Sequence, residues 1–190
     1  MDSEKKRMFP STGVAIAAVL GLLVLASVAF NPYCPMRGAF AGSKAEGAEA
    51  ANFRLKDFDG DLVDFRQATE GKAVVLKFGA LWCGWCQQQS EDFAVLQGQL
   101  DPEKAMIFEV SVHSDEPMEK VREKHQSLGL RHTVVRDEDN EAATKYSVSG
   151  LPAVFVIAPD GTIAYRAHYT PADRLLKEIE KALEGTKQAG

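Results

Sequence analysis

Residues 73–86 read Ala73-Val74-Val75-Leu76-Lys77-Phe78-Gly79-Ala80-Leu81-Trp82-Cys83-Gly84-Trp85-Cys86, and the fold is decided here. Residues 73–78 are mostly apolar and β-branched, which reads as a central strand. Gly79-Ala80 permits a tight turn. Residues 87–100 then place Phe93, Leu96 and Leu100 on one apolar helix face. The two thiols stand at i and i+3 where a strand gives way to a helix. Sulfurs so spaced can close into a disulfide and reopen. Free N–H groups at a helix start carry partial positive charge, which favours a thiolate at the first cysteine. That thiolate is the nucleophile of disulfide exchange. Trp82 and Trp85 flank Cys83 and offer a flat apolar surface to a partner protein.

Two other readings of the pair are weaker. A zinc knuckle needs two further ligands. The candidates are Cys34, His113, His125, His132 and His168, and they form no second closely spaced pair. A purely structural disulfide across so short a ring adds little, because the chain-entropy gain grows with loop length.

Residues 13–30 carry no charge, with Ser27 as the one polar side chain. As a helix they span roughly 27 Å, close to the hydrocarbon thickness of a bilayer. Lys5, Lys6 and Arg7 precede them. The positive-inside tendency then leaves residues 1–12 as a short cytoplasmic N-terminus and exports everything after residue 30. The segment reads as an uncleaved single-pass signal anchor. A cleaved signal peptide is the alternative, with small residues at Ser27-Val28-Ala29 or Ala39-Phe40-Ala41. Cys34 follows bulky Tyr33, which argues against a lipid-modified cysteine; it reads as an idle juxtamembrane thiol or an interchain partner. Either topology puts the pair in an extracytoplasmic space (the periplasm in a bacterium), where disulfides persist.

The net charge is −5 and no basic run follows the first seven residues, which argues against a nucleic-acid partner. Residues 31–51 read as a flexible linker, 52–185 as one domain with a single core, and 186–190 as a tail. Around Asp59-Gly60, residues 53–55 and 62–65 alternate as an N-terminal hairpin. Residues 105–113 form a second buried strand, 117–128 a helix, 131–136 a short edge segment and 140–146 a short helix. Residues 153–158 and 162–168 make a hairpin across Pro159-Asp160-Gly161. Thr170-Pro171-Ala172-Asp173 opens the last helix, with Leu175, Leu176, Ile179 and Leu183 on its apolar face. The whole is an α/β arrangement around a mixed sheet.

Trp82-Cys83-Gly84-Trp85-Cys86 after a strand, Val148-Ser149-Gly150-Leu151-Pro152 before one, and Asp160-Gly161 in the next hairpin resemble the thioredoxin superfamily. The N-terminal hairpin and the extra stretch around 111–128 resemble its TlpA/ResA-like, membrane-anchored thiol–disulfide oxidoreductases. The resemblance covers residues 53–183. It implies a thioredoxin-like fold, a mixed β-sheet flanked by helices, with an N-terminal β-hairpin and a single N-terminal transmembrane helix. It also implies a cis Pro152 facing the cysteine pair, with the Leu151 backbone presented to an extended client segment. Gly84 belongs to the same shaped surface.

Two positions depart from that pattern. Lys77 stands where thioredoxins often carry a buried acid, and Gln89 where TlpA-like reductases often carry a glutamate. Lys77 reads as a strand residue snorkelling outward. Were its ammonium near the sulfurs, it would favour thiolates, and Lys77 and Gln89 are the candidate modulators of the thiols. The resemblance implies a reductase of client-protein disulfides, for example in cytochrome c or other metalloprotein maturation, supplied by a membrane electron donor. It needs no metal or organic cofactor beyond the Cys83–Cys86 disulfide. The rivals are a copper carrier using both thiols as ligands, and a thiol peroxidase, whose threonine–cysteine pattern is absent around Cys83.

Overall fold

A run of seven buried residues needs cover on both faces, and Ala73–Gly79 has it at the centre of the molecule. The computed structural model describes residues 45–112 and 115–188. In chain order the elements are β1 (Arg54–Asp57), β2 (Leu62–Asp64), α1 (Phe65–Ala68), β3 (Ala73–Gly79) and α2 (Gly84–Leu96). Then follow β4 (Ala105–Ser111), α3 (Met118–Ser127), β5 (Thr133–Arg136), α4 (Glu141–Lys145), β6 (Ala153–Ile157), β7 (Ile163–Ala167) and α5 (Ala172–Gln188).

The strands form one mixed sheet in the order β2-β1-β5-β4-β3-β6-β7. β3 pairs parallel with β4 and antiparallel with β6. β1 and β2 make the expected N-terminal hairpin. Strand alternation divides the core. Val74, Leu76 and Phe78 pack with Phe108, Tyr146 and Phe155 on one face. Ala73 and Val75 face Phe93 and Leu96 of α2 and Leu175 and Ile179 of α5 on the other. Removing a ring such as Phe93 from this second layer costs about 3–5 kcal/mol.

Several expectations need correction. The segment holding Val134-Val135 is not an edge: β5 lies between β1 and β4, because the N-terminal hairpin adds outside it. Residues 46–51 are not free linker. Gly47 N–H donates to the Ile163 carbonyl at 2.8 Å, Glu49 bridges Thr162, and Ala50 is buried. The helix that holds Cys86 starts at Gly84 and stops at Leu96, and the last helix runs on to Gln188, into the span read as a tail. The second buried strand ends at Ser111.

The anchor or signal peptide at 13–30, the cytoplasmic residues 1–12, Cys34 and His113 lie outside the described residues. Among the described residues no helix is long and apolar enough to cross a membrane.

Candidate active site

Cys83 closes the turn after β3 and caps α2. Its Sγ accepts the Cys86 N–H at 3.2 Å, while its carbonyl accepts from Cys86 N and Gln87 N at 3.0 and 3.1 Å. The first sulfur therefore stands among the free N–H groups of the helix start. Both cysteines are free thiols. Cys83 is 7% exposed and Cys86 2%. Burial pushes the Cys86 thiol up to about 12, and the hydrogen bond with Cys83 adds to the rise. Cys86 thus stays protonated at neutral pH. Of the two sulfurs, Cys83 is the one at the helix start.

Lys77 does not snorkel. Strand alternation points it to the same face as Val75, beneath α2, and it is 1% exposed. A buried ammonium needs three acceptors and an opposite charge. Here Nζ donates to Glu109 Oε1 at 2.8 Å, to Ser90 Oγ at 2.8 Å and to the Cys86 carbonyl at 3.3 Å. Glu109 is its parallel partner across β3 and β4. The second oxygen of Glu109 lies 3.3 Å from His132 Nε2, and the His132 ring packs on His125, centroids 4.4 Å apart. Burial alone raises the Glu109 carboxyl. The Lys77 ammonium and His132 outweigh that and hold it at about 2. The Lys77 charge also favours the ionised form of Cys86, against burial. Gly79 makes this approach possible: a Cβ there would lie 2.7 Å from Lys77 Cε and 3.5 Å from Cys86 Sγ.

Gln89 is wholly buried, and both ends of its amide engage the Thr170 backbone, at 2.9 and 2.8 Å. It braces α2 against the approach to α5. One turn on, Asp92 accepts from Tyr169 Oη at 2.8 Å and from Ala172 N at 3.1 Å. The Tyr169 ring lies 5.4 Å from that of Trp85. Trp82 and Trp85 are 63% and 64% exposed, so the apolar surface beside the pair is present. A Cβ on Gly84 would meet nothing within 4 Å, which leaves the surface over the sulfurs open.

The Leu151–Pro152 peptide is cis. Phe78 pairs with Ala153 in the β3–β6 register, and continuing it sets Pro152 beside Gly79, at the strand end from which the cysteine turn departs. Leu151 packs on the core, and the Pro152 carbonyl lies 3.2 Å from His168 Nδ1. Of the histidines weighed as zinc ligands, His125 and His132 come together and His168 goes to Pro152. Among the described residues no three His, Cys, Asp or Glu side chains are grouped to hold a metal ion.

Sequence reasoning missed Glu109, Ser90, the His125–His132 contact and Glu116. Glu116 accepts from the Leu81 and Trp82 N–H groups at 2.9 and 3.1 Å, just ahead of Cys83. For Glu109 a signal existed. Lys77 and Glu109 are each the lone charge in a mostly apolar strand, and opposite charges on neighbouring strands attract. The others come from distant segments and left no local pattern.

The AhpC/TSA family model matches residues 47–166. Thiol-disulfide oxidoreductase ResA of Bacillus subtilis (strain 168) is 27% identical over 190 residues, 98% of this chain and 99% of that protein. Thiol-disulfide oxidoreductase ResA of Geobacillus thermodenitrificans (strain NG80-2) is 28% identical over 156 residues, 79% of this chain and 84% of that one. A solved structure from Chlorobium tepidum, assigned as a thiol:disulfide interchange protein DsbE, has a TM-score of 0.65 and 26% identity, covering 74% of this chain and 99% of its own. This chain belongs to the AhpC/TSA family and is a ResA-like member of it, with the thioredoxin-like fold.

Proposed function

We propose that this chain is a thiol–disulfide oxidoreductase that reduces client-protein disulfides with Cys83 and Cys86. Cys83 attacks the client disulfide and forms a mixed disulfide. Cys86 then attacks Cys83, releases the reduced client and leaves the Cys83–Cys86 bond. The steps need no metal or organic cofactor. One observation carries the reading: an outer sulfur capping α2 with an inner, protonated sulfur directly behind it. That asymmetry supports Cys83 as the entering nucleophile. Trp82, Gly84, Trp85, Leu151 and Pro152 form the client surface in this reading, with the Leu151 backbone offered as a strand partner.

The same reading places the domain outside the cytoplasm, tethered by residues 13–30. Their apolar composition supports this, and the alignment with the Bacillus subtilis relative runs through them. A tether raises the effective concentration at the membrane, which suits a membrane-bound electron donor. Clients in cytochrome c or other metalloprotein maturation fit such a place.

Cys83→Ser is expected to abolish reduction of insulin disulfides, and Cys86→Ser to accumulate mixed disulfides with clients, seen on non-reducing gels. Full activity in Cys83→Ser overturns the proposal. Tight copper(I) binding without exchange activity would replace it with the metal-carrier reading, and peroxide consumption at Cys83 with the peroxidase reading. The measured reduction potential of the pair decides the direction of electron flow.

A further inference from the structure

The inner sulfur has to lose a proton when it attacks. Behind it lies a cavity of about 30 Å³, bordered by Cys86 of α2, Lys77 of β3, Glu109 and Ser111 of β4, Glu116, and His125 of α3. A water needs roughly 10–15 Å³ of such space, so the cavity has room for about two. Its lining is mixed, with Val121, Leu128 and Leu130 beside the polar side chains. Ser111 Oγ and His125 Nε2 are buried and have no hydrogen-bond partner among the described residues. Buried polar atoms of this kind are ordinarily satisfied by ordered water. His125 itself is 8% exposed.

We infer that His125 accepts the proton of the Cys86 thiol, through one water of this cavity, as Cys86 attacks the Cys83 mixed disulfide. The inference rests on the dithiol-exchange reading above. In this step the Cys83–Cys86 sulfur–sulfur bond forms, and the bond from Cys83 to the client sulfur breaks. The electron pair leaves with the client sulfur as a thiolate. The two cysteines are oxidised and the client is reduced. The Cys86 proton passes to the cavity water, and a proton of that water passes to His125 Nε2. The imidazolium later returns it to solvent.

The alternative base is Glu109, and its surroundings disqualify it. Both of its oxygens are already engaged, Oε1 by Lys77 Nζ at 2.8 Å and Oε2 by His132 Nε2 at 3.3 Å, and these neighbours hold it ionised down to about 2. His125 Nε2 has no such partner among the described residues. Burial first, and then His132, hold its imidazole neutral down to about 4, so a lone pair is available at neutral pH. The fixed charge of Glu109 favours the imidazolium once it forms. Lys77 keeps Glu109 charged and thus acts as a positioning residue. The titratable groups facing His125 and its cavity are Lys77 from β3, Glu109 from β4, Cys86 from α2, Glu116 from the loop before α3, Lys124 from α3 itself and His132 from the segment before β5.

The full chain in a Cys34→Ser background, mixed rapidly with dithiobisnitrobenzoate, separates the two steps. A first release of thionitrobenzoate reports attack by Cys83, and a second reports resolution by Cys86. With His125 present, the second phase is expected to be nearly flat between about pH 5 and pH 8, as for a base already unprotonated. In His125→Gln it should slow on the order of a hundredfold at the acidic end and rise about tenfold per pH unit, following the thiolate fraction. The first phase should not change. Equal second phases in both proteins across that range overturn the inference. Absence of the first phase in the unsubstituted pair would instead sink the dithiol reading. Should His125→Gln fail to fold, nitrogen NMR of the histidines in the unsubstituted chain decides. His125 Nε2 is expected to be bare at pH 7, and a proton on it excludes the role.

Discussion

Lys77 and Glu109 form an ion pair almost out of contact with water, with side-chain exposures of 1% and 11%. Two buried charges cost several kcal/mol each to desolvate, so the pair is weak evidence of stability while each partner is indispensable to the other. Glu109→Ala should therefore destabilise the domain by about 3–5 kcal/mol, read from urea unfolding. The Lys77→Met, Glu109→Leu double variant should recover most of that loss, since no uncompensated charge remains. A double variant as unstable as Glu109→Ala would show that the two charges do not depend on each other. Lys77 was visible in the sequence, but its direction was not. A lone lysine in an apolar strand either snorkels or is paired, and only the neighbouring strand's register decides which.

Helix α2 begins at the cysteines, and two segments remote in sequence hold it and the turn ahead of it. Gln89 and Asp92 tie it to the approach to α5. Glu116, in the loop before α3, grips the turn ahead of it through Leu81 N–H and Trp82 N–H, and the Arg136 guanidinium donates to the Glu116 carbonyl. Hydrogen bonds to a charged acceptor contribute about 1.5–3 kcal/mol. Glu116→Ala is thus expected to speed hydrogen exchange of the Leu81 and Trp82 amides by roughly tenfold or more, with β3 unaffected. Unchanged protection at those two amides would mean that the clamp does not hold the turn. Helix α2 itself was legible from Phe93 and Leu96. Its end was misplaced because Leu100 continues the apolar spacing past Leu96.

The stability of the domain as a whole should fall with acidification in two stages. His125 stays neutral in the folded state down to about 4, whereas an unfolded histidine takes its proton near 6.5. Between those values the unfolded chain binds more protons, so stability declines as pH drops. Glu109, held at about 2 against an ordinary value of 4.5, extends the decline below that. Both contributions are fully present at neutral pH. Thermal unfolding midpoints should fall between about pH 6.5 and pH 4, and His125→Gln should flatten that part of the curve. A substituted protein with an unaltered slope there would place the acid sensitivity elsewhere.

Residue types and short spacings were enough for the strand–turn–helix with its thiols, the mixed α/β sheet, the N-terminal hairpin and the surface of Trp82 and Trp85. Each depends on contacts a few residues apart or on strand and helix periodicity, which linear order preserves. The interior position of β5, the packing of residues 46–51 beside β7, and the Lys77–Glu109–His132–His125 array were decided only when distant segments met. A buried charge has no preferred direction until a neighbouring strand supplies its counter-charge, and a strand does not become central until another pairs outside it.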